Sequence, residues 1–165
     1  MLNEIAILRV IHILGGVIWV GGVVTMSFFV IPSLRQAGPA AAGPVMQGLV
    51  QRKFFVIMPV LGLVVMLVGV RMMQLVAGGF FTDYFWDSAG RWYAYSSVPV
   101  VVAFLIGVLV GRPAMLKAQA LMSGPEREQK GPEIQALQAK SAGALRATAW
   151  LLLLGTFGMA VARYL

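Results

Sequence analysis

Four long apolar runs limit this chain to a small set of folds. They cover about residues 5–31, 54–78, 93–111 and 144–165, and the connections between them are short. A helix needs about 20 apolar residues to cross the hydrocarbon core of a bilayer, and it satisfies its own backbone hydrogen bonds there. The runs therefore predict an all-α integral membrane protein. We expect an antiparallel four-helix bundle, up-down-up-down, that forms a single transmembrane domain over residues 1–165.

The composition agrees with a chain surrounded by lipid. Of the 165 residues, 59% are hydrophobic and 12% are charged, whereas globular domains carry about 25% charge. The absence of cysteine excludes disulfides, thiolate metal sites and cysteine nucleophiles. The net charge of +7 does not predict nucleic-acid binding, because apolar runs separate the basic residues. We expect the first run to be a span rather than a cleaved signal peptide, because Glu4 precedes it and no Lys or Arg does.

The basic residues are distributed unevenly among the loops. Loop 2, between the second and third spans, carries Arg91 beside Asp83 and Asp87. Loops 1 and 3 with their flanks carry many more: Arg35, Arg52 and Lys53 in loop 1, and Arg112, Lys117, Arg127, Lys130, Lys140 and Arg146 in loop 3. Such residues mark the cytoplasmic side of a membrane protein. We therefore expect a bacterial-type inner (plasma) membrane protein, with loops 1 and 3 in the cytoplasm and both termini outside.

The segments around the spans give further expectations. Pro32 and Ser33 mark the end of the first span, and a loop rich in Gly, Pro and Ala follows. The third span continues past Pro113 as an amphipathic helix, and Pro132 favours a helix start. The polar segment 126–140 is read as a solvated loop in preference to a binding site for a cytoplasmic partner. A GxxxG pair, Gly107 and Gly111, suits either a homodimer or close packing within one chain.

His12 is the single histidine and lies inside the first apolar run. With a rise of 1.5 Å per residue it sits about 10 Å below the outer edge of that run. Helical spacing places Arg9, Gly15, Gly16 and Trp19 on the same face. The glycines leave room for a neighbouring helix or a porphyrin plane. Neutral imidazole is the commonest metal ligand, so we consider ligation or proton transfer beside a structural hydrogen bond between helices.

Arginines gather near the depth of His12. Arg71 interrupts the outer third of the second span, Arg91 opens the third span, and Arg163 closes the fourth. Together with Arg9 they predict a basic outer rim, near Asp83 and Asp87. Those close to helix ends also suit simple extension of their side chains toward lipid headgroups.

Ten methionines supply soft thioether groups, and Met66 is the one we place among the candidate metal ligands, with His12. Methionine is also an ordinary filler of apolar cores. No Ser-His-Asp set, HExxH motif or P-loop occurs in the sequence, and no carboxylate lies within a span. A proton-driven carrier would need such an acid.

Several short motifs resemble those of a known superfamily. His12 is followed seven residues later by Trp19 and then by Gly21-Gly22, while the second span opens with Arg52-Lys53-Phe54 and contains Gly69. This pattern resembles the copper-resistance protein D superfamily, and HemJ-type protoporphyrinogen oxidases share a related His-to-Trp opening. The resemblance implies a four-helix fold and a role in copper handling or haem and porphyrin redox chemistry. It also implies that the HemJ-type histidine corresponds to His12.

Three functions remain open at this point. The leading hypothesis is a haem- or metal-binding membrane protein with a redox-linked role, which would make it a membrane oxidoreductase with a redox partner. His12 would then be the axial ligand of haem b, with Arg9, Arg71 and Arg91 near its propionates. The second hypothesis is copper uptake or delivery through His12 and methionines. The third is a non-catalytic structural subunit in which His12 packs between helices.

Overall fold

The computed structural model describes residues 3–80, 82–86, 88–125, 127–162 and 164, except for the side chains of residues 88 and 89. Five helices, and no strands, form this part of the chain. Helix α1 joins Glu4–Thr25, a π turn at Met26–Val30 and Ile31–Ala37. Helices α2 and α3 cover Pro39–Gln51 and Phe54–Ala77. Helix α4 joins Ser88–Ile106, a π turn at Gly107–Gly111 and Arg112–Ser123, and α5 covers Gly131–Ala162. A short 3₁₀ turn, Asp83–Phe85, precedes α4.

Four of the helices, α1, α3, α4 and α5, are long and apolar enough to cross a membrane. Their outward surfaces are apolar as well: Val17 is 66% exposed and Phe157 is 68% exposed. Side chains of this kind have a low free energy in contact with lipid tails and a high one in water. The fold thus has the character of a multi-pass membrane protein, as the apolar runs predict.

Pro32 and Pro113 each lie inside a continuous helix shortly after a π turn, whereas Pro44, Pro59 and Pro99 lie within α-helical segments. Pro32 lacks the N–H group that an α-helix requires, and its ring clashes with the preceding turn. The wider turn at Met26–Val30 absorbs this defect, with the Ile31 N–H donating to the Met26 carbonyl. The same arrangement occurs at Gly107–Gly111, ahead of Pro113. The first helix therefore continues to Ala37 rather than ending at Pro32, and α4 extends past Pro113 as expected.

The loop expected after the first span is instead the helix α2. Gly38 adopts a positive φ of 82° and separates α1 from α2, whose first residue is Pro39. Proline is favourable at this position because the first N–H of a helix has no partner. At the other end, Lys53 has a φ of 57° and is the single non-glycine residue with a positive φ in the part of the chain that the structure describes. This conformation costs about 1 kcal/mol.

Residues 131–140 of the polar segment form a helix rather than a solvated loop. Helix α5 begins at Gly131, as Pro132 predicts, and its first turns pack against the end of α4. Lys117 Nζ and Glu133 Oε1 form an ion pair of 2.7 Å, and Ile134 is only 7% exposed. A freely solvated loop would leave such an apolar side chain exposed. The burial of Ile134 therefore indicates that this part of α5 is packed against its neighbours.

The core lies where α1, α3, α4 and α5 meet, around Trp19, Val65, Ala103 and Leu152. Helices α4 and α5 have the most extensive contact. The GxxxG glycines belong to this contact: a methyl group at Gly111 would lie 3.4 Å from Ala144 Cβ. Small residues of this kind let membrane helices approach closely. Gly107 and Gly111 therefore serve packing within one chain.

Candidate functional site

His12 lies at the contact between α1 and α3, where it faces Gly69. A methyl group at Gly69 would lie 2.8 Å from His12 Cε1 and 3.3 Å from Nδ1. The absence of a side chain at Gly69 thus lets the imidazole reach the backbone of α3. There, His12 Nδ1 lies 2.9 Å from the carbonyl oxygen of Val65, one turn before Gly69.

This hydrogen bond determines which nitrogen of His12 carries a proton. A carbonyl oxygen only accepts, so Nδ1 must be the donor. In the neutral imidazole the other nitrogen, Nε2, then keeps its lone pair. The ring is only partly exposed, and its orientation is fixed by a backbone atom. His12 is therefore held in a form suited to giving one bond to a metal ion through Nε2.

Gly15 and Gly16 have different surroundings although they are adjacent. A methyl group at Gly15 would lie 2.7 Å from Val65 Cγ2, so α3 occupies the room beside this glycine. Apart from its chain neighbours and the backbone of α1, a methyl group at Gly16 would have no atom of the described residues within 4 Å. Of the two occupants considered for these glycines, a neighbouring helix is the one found at Gly15. Gly16, one turn along from His12, leaves an open patch on the surface of α1.

Trp19 is part of the contact between helices at the centre of the protein. Its side chain is 4% exposed. A methyl group at Gly62 of α3 would lie 2.5 Å from Cε2 of its indole. On the other side, the indole meets the Phe104 ring edge to face, with 6.2 Å between centroids. Trp19 therefore joins α1, α3 and α4 at the centre of the protein.

Arg71 and Arg9, two of the arginines expected at the outer rim, have different surroundings. Arg71 Nε makes a 2.9 Å ion pair with Glu4 Oε1, and Arg71 Nη1 donates to Gln74 Oε1. This ion pair joins the end of α3 to the start of α1, and it is largely exposed to solvent. Arg9 is exposed one turn before His12 on α1. Arg163 and Asp87 lie outside the described residues.

Arg91 belongs to a different part of the surface. It precedes Tyr95 by one helical turn and Val98 by two, so the three residues share a face of α4. Tyr95 and Val98 line an apolar groove of about 550 Å³ between α4 and α5. His12, by contrast, lies between α1 and α3. Arg91 thus lies on the helix that forms one side of this groove, but it is not one of the residues that line it.

Met66 follows Val65, whose carbonyl holds His12, and it packs partly buried against the core. Met58 of α3 lies against Gly22 of α1, where an added methyl group would be 3.1 Å from Met58 Sδ. No cluster of three or more His, Cys, Asp or Glu side chains occurs within the described ranges. The candidate metal donors that remain are the His12 imidazole and the methionine thioethers.

The residues that position His12 were not all evident from the sequence. Gly69, Gly62 and the Val65 carbonyl determine where the imidazole and the indole lie, and none of them carries chemistry of its own. One signal was available: His12 and Trp19 are seven residues apart on α1, and Gly62 and Gly69 are seven residues apart on α3. Equal spacing on two helices is what paired contacts between them require.

Comparisons with known proteins identify no relative of this chain. No protein-family model matches it, no curated protein matches it, and no solved structure matches it. The class of protein therefore rests on the molecule itself: a helical protein with four helices able to cross a membrane.

Proposed function

We propose that this protein binds haem or a metal ion within the membrane through Nε2 of His12 and has a redox-linked role. The observation that supports this most directly is the 2.9 Å hydrogen bond from His12 Nδ1 to the Val65 carbonyl. Histidines that ligate metals usually donate their other N–H to a carbonyl or carboxylate, which fixes the tautomer and the ring orientation. The resemblance of the His12-to-Trp19 segment to copper and porphyrin proteins points the same way.

The surface of α1 beside His12 suits a flat cofactor such as haem b. Gly16 leaves open space one turn below the imidazole, and Arg9 is exposed one turn above it. Arg9 is therefore the arginine that would pair with a propionate, since Arg71 is engaged by Glu4. Haem bound there would supply one-electron transfer to a redox partner. The chain has one histidine, so any further residue that would hold the iron is Met66 or His12 of a second copy.

The optical spectrum of the purified protein tests this proposal. Wild-type protein from cells supplied with a haem precursor is expected to show a Soret band that His12→Ala abolishes. Gly16→Leu should also weaken the band, because the larger side chain fills the open patch. Gly21→Leu is the matched control, since Gly21 is likewise open but lies more than two turns away. Wild-type protein without any Soret band and without bound metal would contradict the proposal.

His12→Asn separates ligation from packing. The amide nitrogen of asparagine takes the place of Nδ1 and can still donate to the Val65 carbonyl, whereas no atom replaces Nε2. Haem or metal should therefore be lost in both His12→Asn and His12→Ala. Stability should fall mainly in His12→Ala, because that variant leaves the carbonyl without its side-chain donor.

The second candidate function is a structural membrane subunit. It is favoured by the way His12 and Trp19 fit against Gly69 and Gly62, which is how helices lock together in membranes. This function predicts that no chromophore or metal copurifies and that His12→Asn is nearly as stable as wild type. Copper uptake or delivery is the outcome to infer if metal analysis finds copper without haem and His12→Ala alters copper-dependent growth.

We further propose an antiparallel up-down-up-down bundle in a bacterial-type inner membrane, with both termini outside. The contacts of α1 with α3 support opposite directions, because His12 meets Gly69 whereas Gly22 meets Met58. The concentration of Lys and Arg in the loops after α1 and α4 supports the orientation. A homodimer would have to use a surface other than Gly107 and Gly111, which face α5.

A further inference from the structure

A small crevice lies where α3 begins and where α4 passes its π turn. It has a volume of about 110 Å³, and three polar side chains line it: Lys53, Arg112 and Gln119. This volume equals that of about four water molecules in the liquid. It suits a group of the size of a phosphate and is too small for an acyl chain.

The two cations stand at the ends of apolar spans. Lys53 immediately precedes Phe54, the first residue of α3, and Arg112 immediately follows the π turn at Gly107–Gly111. Apolar side chains from the same two helices, Phe55, Val56 and Leu116, also line the crevice. Val56 and Leu116 are each 49% exposed, so they offer an apolar surface next to the positive charge.

The backbone at Lys53 is held in an unusual conformation by bonds on both sides. Its N–H donates to the Val50 carbonyl at 2.9 Å, and its own carbonyl accepts from Ile57 N at 2.8 Å. The φ of 57° is one that side-chain-bearing residues rarely adopt. Such strained residues cluster at functional sites, where the surrounding structure over-determines them. The residue with this unusual backbone is one of the two cations that line the crevice.

From these observations we propose that the crevice is a binding site for an anionic phospholipid. The phosphate pairs with Lys53 and Arg112, with Gln119 as a further hydrogen-bonding group. The acyl chains lie outside, along Val56 and Leu116. Basic pockets between membrane helices recognise anionic headgroups in this way. The site is separate from His12, and its function does not depend on haem or metal binding.

Native mass spectrometry of the detergent-purified protein tests the site, with equal amounts of phosphatidylglycerol or phosphatidylcholine added. Wild type is expected to retain phosphatidylglycerol preferentially. The double variant Lys53→Asn/Arg112→Gln should bind it about thirtyfold more weakly, as expected for the removal of two charges at an anionic surface. Asparagine is chosen because it tolerates positive φ, so the backbone at residue 53 is preserved.

Two control variants separate the crevice from general charge effects. Arg35→Gln/Lys140→Gln loses the same two charges from exposed positions outside the crevice, and it should bind like wild type. Lys53→Arg/Arg112→Lys retains both charges and should keep most of the preference. Circular dichroism checks that each variant is folded.

Three results would overturn the proposal. The first is equal retention of the two lipids by wild type. The second is equal loss of binding in the crevice variant and in the Arg35→Gln/Lys140→Gln control. The third is complete displacement of phosphatidylglycerol by millimolar inorganic phosphate, which would make free phosphate the occupant. Retention that phosphate leaves unchanged supports the lipid.

Discussion

At the scale of single residues, two contacts fix the positions of the His12 and Trp19 rings. The His12 imidazole lies against Gly69 and the Trp19 indole against Gly62. Each pair combines a large ring with a residue that has no side chain. The ring of His12 is held by a hydrogen bond as well, whereas the ring of Trp19 is held by burial among apolar groups. Room for the two rings therefore depends on the two glycines.

Substitution of these glycines by alanine is expected to destabilise the protein. Gly69→Ala should displace the imidazole and break its bond to Val65, with a cost of about 1–2 kcal/mol. Gly62→Ala should cost more, about 2–3 kcal/mol, because the buried indole has no free space to enter. Unfolding in mild detergent, followed by circular dichroism, measures both effects.

Gly16→Ala is the control for these variants, because a methyl group there meets nothing within 4 Å. It should be neutral or stabilising by up to about 1 kcal/mol, since alanine has the higher helix propensity. If all three variants had the same stability, the two ring contacts would not contribute to the free energy of unfolding as predicted.

At the scale of helices, the structure differs from expectation mainly at helix ends. The apolar runs located the spans well, because hydrocarbon thickness sets their length. They did not reveal that Pro32 lies inside a helix, since the π turn that accommodates it has no composition of its own. Likewise the Gly- and Pro-rich segment after Gly38 forms α2. Its prolines and glycines lower helix propensity and none of its residues is buried, but Pro39 at its first position favours the helix start.

The ion pair between α4 and α5 should make stability depend on acidity. The hydrogen bond and charge of Lys117 lower the pKa of Glu133 below its ordinary value of 4.5. A carboxyl group with a lowered pKa stabilises the fold above its ordinary pKa, and this contribution is lost as the pH falls through the lowered value. The unfolding midpoint of wild type should therefore fall further than that of Glu133→Gln between about pH 5 and about pH 3.

Glu128→Gln provides the comparison, since Glu128 is exposed in the turn before α5. This variant should keep the acid sensitivity of wild type. An identical pH dependence in wild type and Glu133→Gln would show that the pair has no effect on stability, as is common for exposed ion pairs.

At the scale of the whole molecule, fold class was more predictable than function. Four apolar spans were evident because lipid imposes a simple rule on sequence. The face of α1 that carries His12 and Trp19 was also predictable from helical spacing. The partners of that face were not, since Gly62, Gly69 and a backbone carbonyl become significant only once α1 and α3 are packed together. The grouping of arginines depended on depth alone, and the structure adds that Arg71 pairs with Glu4 while Arg91 lies on α4.

The orientation of the protein in the membrane can be measured directly because the chain contains no cysteine. A single cysteine at an exposed position reports which side of the membrane it occupies. Asp83→Cys should react with a membrane-impermeant maleimide in intact spheroplasts, whereas Lys140→Cys should react only after permeabilisation. The reverse pattern would mean that loops 1 and 3 lie outside, contrary to the charge distribution.

The equal spacing of the two ring contacts also restricts how the helices can move. Seven residues are nearly two full turns, so His12 and Trp19 stand almost in line along α1, as Gly62 and Gly69 do along α3. A slide of one turn, about 5.4 Å, would carry both rings off their glycines at once and onto residues with side chains. Piston-like displacement of α1 along α3 is therefore blocked. A movement of α1 relative to α3 would have to separate the two helices laterally, so that both rings leave their glycines together.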